Sequence, residues 1–333
     1  MLGLGTSLAN WSSTGGALGE ELAFVFTVKT DNTGTSNDDQ FSVPITVSSG
    51  SATGNYARPL CNIDWGDGTV IEDVGQDSDL SGTGGDRAIA RATHTYSAGA
   101  GTYTIKISEG TSWEGSAWDS ADQPPLQKWA FNNGADCLKV LEITNWGIWS
   151  SSYGAFQGCT NLTCSATDAI DLGNVKGRTT FTADMTFMFR NCYLFNGAIG
   201  NWDTSRVTAA RGTFWTASVF NADISGWDMS SVTGRMDRFL FVAEAFNQNL
   251  GSWDVRTASN LSQFMSTSSS ILSTANYDAL LIGWAEYADE FTYTGTPTFS
   301  AEYTPDSDAS VAHAALIAGN WAGITDDGCV GCP

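Results

Sequence analysis

The phrase "FNADISGWDMSSVT" at residues 220–233 stands between two near copies of itself, "FNGAIGNWDTSRVT" at 195–208 and "FNQNLGSWDVRTAS" at 246–259. Phe195, Phe220 and Phe246 lie 25 and 26 residues apart; Trp202, Trp227 and Trp253 keep those spacings, and so do Asp203, Asp228 and Asp254. A period this short restricts the architecture. A propeller blade needs four strands and about 40 or more residues, so blades do not fit, whereas one coil of a stacked array does. A single coil cannot bury its own apolar face, so the copies must stabilise one another as neighbours.

The array reads as residues 131–272. It opens on "LKVLEITNW" (138–146), where Leu138, Leu141 and Ile143 have the L-x-x-L-x-L spacing of a leucine-rich coil. "AFQGCTNL" (155–162) is echoed by "MFRNCYLF" (188–195), "TFWTASVF" (213–220) and "FLFVAEAF" (239–246). Each unit is expected to hold one short strand near its Ile/Leu–Trp segment and one helical turn near its Met/Phe segment. A cap follows over 273–333. Ser273 or Thr274 can cap a helix there, and Tyr277, Leu280, Leu281 and Trp284 fall at i, i+3, i+4 and i+7. The Ala-rich stretch 307–320 predicts a second helix, with "TPTFSAEYTP" as a loop or short edge strand between the two.

The first third has a different texture. Residues 1–20 are a Gly- and Ser-rich arm, of the kind that orders on docking to a partner. Residues 21–112 hold short β-rich runs separated by polar turns, which predicts a β-sandwich, and 113–130 is a linker around "DQPPLQKW". In "DWGDGT", Asp64 and Asp67 flank glycines that permit unusual backbone angles, and their carboxylates suit turn amides. With His94, these are read as turn and core hydrogen-bonding groups, since one turn supplies too few oxygens for calcium.

Composition narrows the partners. Thirty-six Asp and Glu against 15 Lys and Arg give a net charge of −21, which repels phosphate and excludes nucleic acid as an expected partner. No run reaches the roughly 18 apolar residues of a membrane span, so no membrane insertion is expected. The start "MLGLGTSLANWSSTGGALGEE" has no Lys or Arg before Glu20, unlike a secretory signal peptide. The seven Cys are an odd and sparse set; Cys329 and Cys332 form a C-x-x-C at the terminus without the further ligands that structural zinc requires.

No cofactor, metal or catalytic residue is assigned. With two His and no nucleophile, zinc or phosphate-loop motif, enzymatic reading is reduced to a polysaccharide-degrading pair of carboxylates, which needs only a separation of about 5–10 Å. The candidate ligand surface is the repeated pair Trp202–Asp203, Trp227–Asp228 and Trp253–Asp254. The indoles form either an exposed ladder for stacking sugars or the buried spine a coil core requires, and the spine is preferred. The carboxylates either close turns or form an acidic stripe, and the turn is preferred.

Two stretches resemble known families. Trp65-Gly66-Asp67-Gly68, His94-Thr95-Tyr96 and Gly101-Thr102-Tyr103 resemble the signature of PKD-type immunoglobulin-like domains. The repeats, the tail "STANYDALLIGWA" and the closing "NWAGITDDGC" resemble BspA-like leucine-rich surface proteins of the 26-residue class. Together the resemblances imply a multidomain, β-rich chain: an immunoglobulin/PKD-like β-sandwich, then a leucine-rich-repeat solenoid, then a helical C-terminal cap. They also imply display and binding without catalysis. The expectation is a phage virion structural protein (capsid decoration or tail/fibre accessory) at the virion surface, made in the host cytoplasm and oligomeric on the particle. Its partners would be other virion proteins, through the arm or sandwich, and a host-surface glycan or protein. The alternative is an adhesin on a bacterial cell surface.

Overall fold

The computed structural model describes residues 23–46, 61–74, 89–109, 130–172, 182–266, 272–290, 297–318 and 326–330, apart from 133, 135, 148, 150, 152, 171, 289 and 329. The expected arm, nearly all of the linker, and Cys329 and Cys332 lie outside the described residues. Among the described residues the chain is β-rich, with mixed sheets and two α-helices. In order come β1 (Phe24–Lys29), β2 (Gln40–Thr46), β3 (Cys61–Asp64), β4 (Val70–Val74), β5 (Ile89–Thr95), β6 (Thr102–Glu109), β7 (Val140–Asn145), β8 (Thr163–Cys164), β9 (Ala183–Asp184), β10 (Val207–Ala209), α1 (Thr274–Ala285) and α2 (Asp308–Ala318).

Alternation in β1 buries Phe24, Phe26 and Val28 on one face, as the two-residue period of a strand requires. Phe26 packs against Phe41 of the β2–β5 pair at a ring distance of 5.9 Å, which joins the two sheets. The larger sheet runs β4-β3-β6-β1-β7-β8, so it continues from the N-terminal strands into the first repeat-like coil. β7 is antiparallel to β1 and parallel to β8. Phe24 also meets Trp146, Trp149 and Phe156 at 6.1, 6.5 and 6.1 Å, so one apolar core crosses this region.

The strand expected at "LKVLEITNW" is β7, but the side chains facing the core differ from the expected set. Val140, Ile143 and Trp146 are fully buried, while Leu138 and Leu141 are half-buried. β7 is a shared strand, shaped by β1 on one edge and β8 on the other, and that pairing sets which face is covered.

A buried ion pair fastens this junction. Lys139 donates from Nζ to the carbonyls of Ser36, Asn37 and Gln40 at 3.2, 2.8 and 3.0 Å, and to Ser36 Oγ at 2.9 Å. Asp136 accepts the amides of Thr35, Ser36 and Ser42 at 2.9, 3.0 and 2.8 Å, and the Ser36 hydroxyl at 2.6 Å. Both side chains are fully buried and 4.0 Å apart. Their remaining polar atoms are spent on the loop before β2 and on the first residues of β2, which is the condition for a buried pair to be tolerated. Gly34 is required beside them, because a Cβ there would stand 2.4 Å from Asp136 Oδ1.

From Gly154 onward the copies lie on one another. The amides of Phe187, Phe189 and Asn191 donate to the carbonyls of Arg211, Thr213 and Trp215 at 2.8, 2.9 and 2.8 Å. Those of Gly212, Phe214 and Thr216 donate to Asp237, Phe239 and Phe241 at 2.9, 2.9 and 2.8 Å, and those of Arg238, Leu240 and Val242 to Ser262, Phe264 and Ser266 at 3.1, 2.8 and 3.0 Å. The amides between them close local turns, as in Met188 to Met185 and Arg190 to Phe187 at 3.1 and 3.2 Å. Backbone donors of this face are thereby used alternately within and between copies.

The expected helical turn is therefore corrected to a run of tight turns. Left-handed residues recur four apart, Phe187 and Asn191 at φ 57 and 62°, Gly212 and Thr216 at 54 and 61°, Arg238 and Val242 at 56 and 60°, and no α-helix continues through such positions. The expected strand at the Ile–Trp segment is corrected too. Trp202, Trp227 and Trp253 each bond back three residues, to Ile199, Ile224 and Leu250 at 3.2, 3.1 and 3.1 Å. In the later copies a short parallel pair forms instead at β9–β10, outside that segment.

Inside the stack the rings form columns. Phe195–Phe220 and Phe220–Phe246 stack at 6.2 and 5.8 Å, and Trp202–Trp227 and Trp227–Trp253 at 6.1 and 6.3 Å. The Asn after each Phe forms a ladder: Asn221, Asn247 and Ser273 donate their amides to the Oδ1 of Asn196, Asn221 and Asn247, each at 2.8 Å. Helix α1 starts at the expected cap, with Ser273 Oγ accepting the Asn276 amide at 3.3 Å. Tyr277, Leu280, Leu281 and Trp284 are all fully buried, and Met265 bonds to Thr298 at 3.0 Å beside them.

Candidate functional site

The repeated indoles are unavailable to a ligand. Trp202, Trp227 and Trp253 are 3, 3 and 1% exposed, so as ligand-surface residues they are corrected to core. Phe189, Phe214 and Phe239 pack against them at ring distances of 6.3, 6.1 and 5.5 Å, and Trp227 and Trp253 donate Nε1–H to the carbonyls of Ile199 and Ile224 at 2.9 and 3.1 Å.

The paired carboxylates lie outside that column. Asp203 and Asp228 are exposed and Asp254 is half-buried. Each closes its own turn, accepting the amide of Ser205, Ser230 or Arg256 at 3.0, 2.9 and 3.1 Å. The seryl hydroxyls add bonds at 2.7 and 2.6 Å. Arg256 grips Asp254 through two nitrogens at 2.9 and 2.7 Å and also reaches Glu290, past the first helix. That guanidinium holds the Asp254 carboxyl below the usual carboxylate range, against the opposing effect of burial.

The W-G-D-G turn brings together Asp64, Asp67 and His94 without assembling a reactive centre. Asp64 and Asp67 accept the amides of Gly66 and Thr69 at 2.9 and 3.0 Å. His94 Nε2 is 2.8 Å from Asp67 Oδ2, and its ring stacks on Trp65 at 5.0 Å and meets Tyr96 edge-on at 4.7 Å. Burial alone would raise the Asp67 carboxyl, but the hydrogen bonds from His94 and Thr69 outweigh it and the group is lowered. All three residues are engaged in holding β3, β4 and β5 together.

A different surface gathers chemistry. On the tight-turn face, Tyr153, Phe187, Trp215 and Phe241 succeed one another at ring distances of 5.5, 6.1 and 5.7 Å, across four coils. Arginines are laid between them. Arg190 sits 3.8 Å from the Trp215 ring and 5.1 Å from Phe187; Arg211 sits 5.1 Å from Phe187, and Arg238 sits 5.2 Å from Trp215. Arg211 and Arg235 share one carboxylate, Asp237, at 3.1 and 2.7 Å, and Arg238 bonds to Gln263 Oε1 at 2.8 Å. Arg190 has no ion pair among the described residues, and its Nε is buried without a hydrogen-bond partner. Burial, then the neighbouring Arg211 and Arg238, push its pKa down.

Sequence reasoning passed over this surface because it searched for residues that repeat. The usable signal was the opposite one. Counting five residues back from Phe195, Phe220 and Phe246 gives Arg190, Trp215 and Phe241, and from the matching Leu162 gives Gln157, a different residue in every copy.

A family model described as "Mycoplasma protein of unknown function, DUF285" matches residues 151–277, a segment that begins beside Tyr153 and ends within α1. No curated protein and no solved structure matches the chain.

Proposed function

We propose that this chain is a non-enzymatic virion structural protein, a capsid decoration or tail/fibre accessory, that displays a repeat array for attachment to host or surface glycans. In this reading residues 131–272 are a leucine-rich-repeat type solenoid, 21–112 a PKD-like β-sandwich that docks to other virion proteins, and 273–333 a helical cap. The ring columns, the Asn ladder and the amide bonds between successive copies support the solenoid. The turn held by Asp64, Asp67 and His94, with two sheets meeting at Phe26 and Phe41, supports the sandwich.

One observation carries the display role. Core positions repeat, as Phe195, Phe220 and Phe246 do, while the outward positions Arg190, Trp215 and Phe241 differ between copies. A scaffold that fixes its interior and varies one exterior face has the properties of a binding array.

The second reading is a bacterial cell-surface adhesin, and the family description as a Mycoplasma protein favours it. Antibody raised against the full chain distinguishes the two. Labelling of intact phage particles is expected; labelling of bacterial cells alone selects the adhesin, and labelling of neither surface overturns both.

A further inference from the structure

We infer that the arginine–aromatic face formed by Tyr153, Arg190, Trp215, Arg238 and Phe241, backed by the buried ring of Phe187, binds an acidic polysaccharide, a sugar chain bearing carboxylates. The inference rests on the display reading above and assigns that reading a surface and a ligand class.

Charge complementarity is the first argument. The chain carries −21 overall, yet Arg190, Arg211, Arg235 and Arg238 converge here, and Asp237 is shared by two of them. Arg190 is left with a positive charge, an unpartnered buried Nε and two cationic neighbours. An incoming anion relieves that repulsion by pairing with the terminal nitrogens of the guanidinium, since Nε itself is buried. Guanidinium forks match carboxylates in two parallel hydrogen bonds, and stacking on Trp215 already fixes the plane of Arg190.

The shape of the face argues for a chain rather than a single ion. Four rings follow one another across four coils, so cations and apolar edges recur along the stack. A sugar chain offers apolar C–H surface for ring edges and acid groups for the arginines between them. Duplex nucleic acid, with one charge per about 1.7 Å, would meet the acidic remainder of the surface far more strongly than a sugar chain bearing at most one carboxylate per ring, so the smaller charge density favours the polysaccharide.

The test uses the full chain and polygalacturonate oligomers, with a neutral galactan of equal length and polyglutamate as comparisons. Binding to polygalacturonate is expected, weakening with added salt and falling at least tenfold in a protein carrying both Arg190→Gln and Arg238→Gln. Lys29→Gln, on β1, should leave it unchanged. A second measurement needs no variant: phenylglyoxal labelling of Arg190 and Arg238 in the wild-type chain should be suppressed by the oligomer. Equal labelling with and without it overturns the proposal. So does absence of binding, equal binding of the galactan, or equal binding of polyglutamate. These results are independent of whether antibody labels a virion or a cell, so either proposal can fail alone.

Discussion

Trp284 on α1 donates its indole N–H to the carbonyl of Leu250 at 3.0 Å, repeating the bonds of Trp227 to Ile199 and Trp253 to Ile224. The cap helix thus supplies another member of the tryptophan column, although its backbone is no longer a coil. The approach is close: a Cβ on Gly283 would stand 2.0 Å from the Gly251 carbonyl. Trp284→Phe keeps most of the ring and loses the donor, leaving a buried carbonyl unpaired. It should cost about 1–3 kcal/mol. Trp284→Ala should cost about 3–5 kcal/mol. Thermal melts give the order, and a Phe variant as stable as wild type would show the bond to be dispensable.

The Asp136–Lys139 pair should be far more sensitive than any exposed ion pair. Lys139→Met leaves a buried carboxylate and three carbonyls that lose their common donor, and should cost about 3–5 kcal/mol. Lys29→Met, whose partner Asp31 is exposed, should leave stability nearly unchanged. Urea titration compares them directly.

Val242 occupies a left-handed position at φ 60°, where the matching residue of an earlier copy is Asn191 at 62°. A β-branched residue is strained there and Asn is tolerated. Val242→Asn should raise stability by about 1 kcal/mol, read as an upward shift of the melting temperature. A fall would mean that packing by the half-buried Val242 side chain outweighs its backbone strain.

Acid should loosen the cap first through Asp326. Its Oδ2 accepts the Tyr277 hydroxyl at 2.6 Å and lies 3.0 Å from His313 Nε2. Burial works to raise the carboxyl, but the adjacent His313 and the hydrogen bond from Tyr277 prevail and it is lowered. A depressed folded pKa contributes stability that is fully present above the unfolded value of about 3.9 and is lost as pH falls through the folded value. Asp326→Asn should therefore destabilise near neutral pH and flatten the dependence between about pH 5 and pH 2. Urea midpoints across that window check the sign.

What the sequence disclosed follows from locality. The period, the Phe and Trp columns, the Ser273 cap and the Tyr277–Trp284 stripe each depend on residues within one or two copies. The misses depend on longer or subtler relations. Lys139 meets Ser36 and Gln40 across about a hundred residues, so no local pattern announces the pair. The continuation of the sheet from β1 into β7 is equally remote. Phe187 and Arg238 adopt left-handed conformations without the Gly or Asn that would advertise them, which is why a helical turn was the natural expectation. The arginine–aromatic face escaped notice because Arg190, Trp215 and Phe241 share a position without sharing a residue type.

Within the tight turns the amide bonds from 187–191, 212–216 and 238–242 all point the same way, from an N–H of one copy to a carbonyl of the next, whereas those from Gly234 to Thr208, Ala245 to Ser218 and Ser259 to Gly234 run in reverse beside them. Along the tight turns the two ends of the stack are consequently chemically opposite. The leading end presents acceptors, and Phe131 and Asn132 meet them with donors to Ala155 and Gly154 at 2.9 and 3.1 Å. The trailing end presents donors, and the Thr298 carbonyl takes one from Met265 at 3.0 Å. A copy inserted between these ends inherits both complements, whereas one appended outside either closure finds that valence already filled. Growth of such an array in evolution or design is thus confined to its middle, and neither terminus can stand in for the other.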